Sequence, residues 1–117
     1  MFIETDKKKL QNLAIKVDKI MREEIIGSKM KYNFIEARVY NIKTLGVQGD
    51  VGTYRHPAEI TILKPMHPNG KDYNYDEFNS FLRKLSTRVT NEIEAINKVL
   101  YVTATRDDKS NGGLYNP

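Results

Sequence analysis

The sequence predicts an α+β fold: a two-layer sandwich of order α-β-β-α-β, with two helices packed on one face of a three-stranded sheet. Two stretches with apolar residues every three or four positions predict the helices, and three β-branched segments predict the strands. The chain has 117 residues, enough for one domain around one core. Residues 1–106 are expected to form that domain and 107–117 a flexible tail.

Leu10, Leu13, Ala14, Val17, Ile20, Met21 and Ile25 fall on one stripe of a helix, while Lys16, Lys19, Arg22 and Glu23 look outward. Thr5 or Asp6 is the expected N-cap, and Gly27 the expected terminator, because glycine takes the left-handed conformation without steric penalty. From Phe34 to Val47 the residues Ile35, Ala37, Val39, Ile42 and Leu45 partly alternate with polar ones, which predicts a bent strand. Gly46, Gly49 and Gly52 then mark a stretch that needs backbone freedom, before Pro57-Ala58-Glu59-Ile60-Thr61-Ile62-Leu63 resumes alternation as a second, antiparallel strand. Pro65, Pro68 and Asn69-Gly70 predict a polar loop. Phe78, Phe81, Leu82, Leu85, Val89 and Ile93 return to helical spacing, with Asn74 or Asp76 as cap, over about Tyr75 to Glu94. Ile96 to Ala104 predicts the third strand. Each helix must bury its stripe, and the apolar side of the sheet is the surface available. The other side and the two edges stay open to self-association or a partner.

Lysine and arginine number 19 against 15 acids, a net charge of +4. Such an excess suits an anionic partner, although a solvated surface is the more ordinary account of it. With no cysteine, a disulfide framework, a thiolate metal site and a cysteine nucleophile are all excluded. The acidic start, Met1-Phe2-Ile3-Glu4-Thr5-Asp6, does not read as a signal peptide, so the expected location is cytoplasmic. No glycine-rich loop followed by lysine and no Ser-His-Asp pattern appears at recognised spacing. His56 and His67, each beside a proline, are expected as solvent-exposed turn residues, two where a zinc site would need at least three ligands. No catalytic residue and no metal ligand is therefore assigned.

What remains is Gly46-Val47-Gln48-Gly49-Asp50, followed at a distance by Lys98 and Arg106. Gln48 can donate to and accept from a base edge or sugar, and Lys98 and Arg106 can hold a phosphate as fixed positive charges. Composition alone favours a plainer account, a β-turn with two surface cations.

These residues also carry a resemblance. Gly46-Val47-Gln48-Gly49-Asp50 with Thr53-Tyr54 resembles the GVQGDxRTY signature of GMP synthase, and Thr87-Arg88-Val89-Thr90-Asn91-Glu92-Ile93 resembles its (S/T)RITNEV segment. Asn97-Lys98-Val99-Leu100-Tyr101 is similar to the NRVVYDIT strand, and Asp18-Lys19-Ile20-Met21-Arg22-Glu23-Glu24-Ile25 to the AD-x-IVREEI helix. The resemblance implies the C-terminal dimerisation domain of that family: a homodimer that contacts XMP through Gln48, Lys98 and Arg106. It implies no cofactor held by this chain; ATP and Mg would come through an ATP-pyrophosphatase domain or subunit as partner, with ligase chemistry residing there. No membrane partner is expected.

The departures from the pattern are specific. Gly52 stands where the signature has arginine, with Arg55 close by. Lys98 replaces an arginine, which keeps the charge and loses the planar fork. The terminal SKPPATIEWE motif gives way to Thr105-Arg106-Asp107-Asp108-Lys109-Ser110-Asn111-Gly112, whose aspartates would repel a phosphate. Two alternatives stay open: a diverged interaction domain without a nucleotide site, and an RNA-binding domain, since the element order also resembles one type of KH domain. KH recognition needs a GXXG loop between two helices, whereas Gly49 and Gly52 fall between strands, so nucleic acid is not the expected partner.

Overall fold

A computed structural model describes residues 2–3, 5–45, 54–102 and 114–115. Its elements are β1 (Phe2–Ile3), α1 (Lys7–Ser28), β2 (Phe34–Tyr40), β3 (Ile42–Leu45), β4 (Tyr54–Leu63), α2 (Tyr75–Glu92), β5 (Ile96–Val102) and β6 (Leu114–Tyr115). The long elements follow the expected order α-β-β-α-β. β4 is the central strand, antiparallel to β2 and parallel to β5, so the three form a mixed sheet.

The helix stripe read from the sequence is the buried face of α1: Leu10, Leu13, Ala14, Val17, Ile20, Met21 and Ile25 are all buried. They share one core with Ala37 and Val39 of β2, Ala58, Ile60 and Ile62 of β4, and Leu85 and Val89 of α2. Asp6 caps α1 by accepting from the Lys9 N–H at 3.1 Å. The expected terminator is corrected. Gly27 lies inside the helix, and Lys29, at φ 57°, is the left-handed residue. The Lys29 N–H donates to the Ile26 carbonyl and the Met30 N–H to the Ile25 carbonyl, both at 3.1 Å, and Met30 is buried beneath this turn. α2 begins in a reciprocal cap, with Asn74 Oδ1 accepting from the Glu77 N–H at 2.8 Å and Glu77 reaching back to the Asn74 N–H.

The bent strand expected over Phe34–Val47 is two strands joined at Asn41. β2 pairs with Ala58–Leu63 and β3 with Tyr54–Arg55, so both run along β4 in succession. Val39 opposes Ala58 while Thr44 opposes Arg55, so the bent strand has two more residues than β4 between these rows. That surplus is a bulge at Tyr40–Ile42. On the far edge of the bent strand, β1 pairs with β3 and β6 with β2. Leu114–Tyr115 of the expected tail thus pairs with Val39 and Tyr40, and the rest of 107–117 lies outside the described residues.

Strand alternation sends Ala58, Ile60 and Ile62 toward the helices and Pro57, Glu59 and Thr61 to the opposite face of the sheet. Arg38 stands directly across from Glu59, and its Nη2 donates to Glu59 Oε1 at 2.6 Å. The Tyr40 hydroxyl donates to Glu59 Oε2 at 2.9 Å. Glu59, only 7% exposed, has both carboxylate oxygens satisfied there. At the rim of the same face Phe34 and Leu100 are 45% and 43% exposed.

Candidate functional site

Of the three candidate residues, Lys98 is described, and Gln48 and Arg106 lie outside the described residues. What the backbone fixes is where their segments join the sheet. Leu45 and Tyr54 are register partners, so segment 46–53 leaves and re-enters at one row of the β3–β4 hairpin. Lys98 is exposed on β5 and paired with Pro57, three residues beyond Tyr54 and about 10 Å along the strand. Lys98 and the segment carrying Gln48 therefore belong to one end of the sheet. Arg106 follows Val102, which is paired with Thr61, seven residues beyond Tyr54 and about 23 Å from it. Four residues span at most about 14 Å. The Leu45–Tyr54 row, where the segment carrying Gln48 attaches, thus lies toward the same end of β4 as the Lys98 row, and the Val102 row lies farther along.

Lys98 owes its place to an irregularity. His56 pairs with Ile96 but Pro57 pairs with Lys98, so Asn97 is an extra residue in β5. Beyond it Lys98 and Leu100 face away from the helices, and Val99 and Tyr101 pack toward the core. A lysine at such a position presents a compact charge to an anion approaching the sheet end. Among the described residues no group of three His, Cys, Asp or Glu is arranged to hold a metal ion. No described helix is long and apolar enough to cross a membrane.

The expectation for His56 is overturned. It is 1% exposed, the third residue of β4, with Nδ1 at 2.9 Å from the Tyr40 carbonyl oxygen and 3.0 Å from that of Ile42. The neighbouring proline made the site look like a turn, whereas the bulge admits a proline into a central strand. His67 does sit in the loop, stacked on Tyr73 at 4.0 Å with Nε2 at 3.0 Å from Glu77 Oε2.

Sequence reading also missed a cluster that joins two of the motifs. Arg88 of α2 donates to Glu24 Oε2 at 3.0 Å and Glu23 Oε1 at 2.9 Å on α1, and to both Glu92 oxygens at 2.6 and 3.0 Å. The hydrogen bonds that Arg88 donates to Glu92, Glu23 and Glu24 raise its pKa, and Arg88 in turn holds Glu92 below the usual carboxylate range. With three carboxylates around it, Arg88 ties the helices together and is no anion receptor. The signal was present, since Glu23-Glu24 and Arg88 each stand in a quoted motif, but only the fold shows that they meet.

The described residues form a two-layer α+β domain with an exposed lysine, Lys98, on a strand at the edge of the described sheet. The family model described as GMP synthase C terminal domain matches residues 21–108. A GMP synthase (glutamine-hydrolyzing) of Borreliella burgdorferi strain N40 is 33% identical over 96 residues, covering 77% of this chain and 18% of that protein. The protein of the same name from Halothermothrix orenii is 32% identical over 100 residues, covering 84% of this chain and 19% of its own length. The Crocosphaera subtropica protein of that name is 28% identical over 92 residues, covering 77% and 17%. The chain belongs to the GMP synthase C-terminal domain family. It spans about 18% of the length of the curated relatives it matches.

Proposed function

We propose that this chain is an association and substrate-contacting module of GMP synthesis, working with an ATP-pyrophosphatase domain or subunit that supplies the ATP and Mg chemistry. Gln48 reads the purine or ribose of XMP, and Lys98 and Arg106 hold its phosphate. The observation that carries this reading is the pairing of Lys98 with Pro57, on the strand that emerges from the segment holding Gln48. Homodimerisation is part of the same proposal. The face of β2, β4 and β5 turned away from the helices joins exposed Phe34 and Leu100 to an Arg38–Glu59–Tyr40 cluster, with Glu36 at 3.3 Å from Arg38 Nε. A stable interface needs about 800 Å² per partner, roughly a tenth of the 7600 Å² that the chain exposes.

Ammonia-dependent GMP formation by the chain mixed with a matching ATP-pyrophosphatase subunit tests this. Lys98→Ala should raise the KM for XMP by about 10- to 100-fold, the worth of a hydrogen bond to a charged group. Sedimentation should show a dimer at micromolar concentration. If Gln48→Ala and Lys98→Ala leave all kinetic parameters of the reconstituted enzyme unchanged, the module serves association alone. A monomer at high concentration removes the dimer.

A further inference from the structure

Pro57 poses a problem for a central strand. It has no N–H to give to the ladder, yet it lies between the bent strand on one side and β5 on the other. Carried one residue past Val39–Ala58, the β2 register puts Tyr40 across from Pro57. Carried two residues back from Thr44–Arg55, the β3 register puts Ile42 across from Pro57 as well. The carbonyls of Tyr40 and Ile42 are therefore the acceptors that the missing N–H leaves in need, and they are the two that His56 Nδ1 approaches, at 2.9 and 3.0 Å. A carbonyl oxygen only accepts, so Nδ1 carries the proton and shares it between them. The His56 backbone N–H meanwhile donates to Ala95 O at 2.7 Å, at the turn that starts β5. One residue thus ties together the end of β2, the start of β3 and the entry to the strand bearing Lys98.

We propose that His56 is a positioning residue whose Nδ1–H replaces the backbone donor that Pro57 lacks, locking the bulge at Tyr40–Ile42 and with it the setting of the β3–β4 hairpin end against Lys98. Its consequence for ligand binding rests on the function proposed above; the positioning itself does not. Without the ring proton, the two carbonyls lose this donor, and the bulge relaxes toward another register in which Leu45, Tyr54 and Lys98 shift relative to one another.

The test begins with ¹⁵N NMR of the imidazole in the unaltered chain, where Nδ1 is expected protonated, with a slowly exchanging proton. An Nδ1 without a proton at neutral pH overturns the proposal, whatever the variants do. His56→Leu is expected to move the amide resonances of Ile42, Leu45, Tyr54 and Lys98 while leaving those of Leu13 and Val17 in α1 unmoved. His56→Asn, which keeps a donor near the Nδ1 position, and the double variant His56→Leu/Pro57→Ala, which restores the backbone donor, should both bring the shifted resonances back. Failure of both to do so, or a folded His56→Leu chain with unshifted resonances, refutes the idea. In the reconstituted enzyme His56→Leu should raise the KM for XMP about tenfold with kcat nearly unchanged. If the unaltered chain proves to have no effect on XMP use, the proposed function fails, while the NMR result still decides the role of His56.

Discussion

Tyr101 offers a sharp test of how β5 is fastened to α2. Its hydroxyl donates to the Leu82 carbonyl oxygen at 2.7 Å and stands 2.7 Å from Ser86 Oγ, which donates to it in turn. Burial pushes its pKa up to about 12, partly opposed by the Ser86 hydrogen bonds. Below pH 10 the tyrosine is protonated in both folded and unfolded chains. Between about pH 10 and 12 the unfolded tyrosine ionises while the folded one keeps its proton, so the unfolded state binds fewer protons and stability falls as pH rises. Two units correspond to roughly 2.7 kcal/mol, which screening by the solvent that reaches part of the ring reduces to about 2 kcal/mol. Tyr101→Phe removes this term. At pH 7 it also loses the bond to Leu82, costing about 1–1.5 kcal/mol. Urea unfolding at pH 7, 10 and 12 should therefore show the variant less stable at neutral pH, with the gap closing as pH rises and the order reversing slightly by pH 12. Tyr40, whose pKa is also raised, contributes the same sign to both proteins and drops out of the difference. Parallel loss of stability in the two proteins between pH 10 and 12 would refute a buried Tyr101 hydroxyl.

Gly27→Ala should stabilise by about 0.5–1 kcal/mol, because Gly27 is helical and an added Cβ there meets nothing within 4 Å. Lys29→Gly should gain a similar amount by relieving the left-handed lysine; a loss of about 1 kcal/mol from Gly27→Ala in thermal unfolding would return the terminator to Gly27. Glu59→Leu should cost about 1–3 kcal/mol in urea unfolding by removing the 2.6 Å partner of Arg38, which keeps its 3.3 Å ion pair to Glu36, and adding Arg38→Leu should recover part of it; additive losses would deny the pair. Arg88→Ala should weaken the chain more at low salt than at high salt. Because Glu92 is held below its usual pKa, its contribution is present above about pH 4 and fades as pH falls through its folded value, so the acid limb of the stability curve should flatten in the variant.

The parts of this fold that the sequence made legible are those where one residue's environment repeats at a fixed period. The α1 stripe needed only spacing, because each of its seven apolar residues faces the same core. The errors fall where a residue's state depends on a distant partner. Gly27 looked like a terminator because glycine relieves the left-handed turn, yet one further helical residue, Ser28, brings Met30 over the core, and that burial holds Lys29 in the unfavourable conformation. His56 looked exposed because histidine beside proline usually marks a turn. Its actual state follows from carbonyls 14 and 16 residues away, which only the bulged register presents to it. The same logic bears on the candidate site. Gln48 was visible in a local motif, but what gives Lys98 a place beside that motif's strand is an extra residue, Asn97, and a proline that the ladder must work around. Local chemistry therefore nominated the candidate residues. The irregular rows of the sheet set where Lys98 stands relative to the Leu45–Tyr54 row, so changes at His56, Pro57 or Asn97 should shift the two against each other.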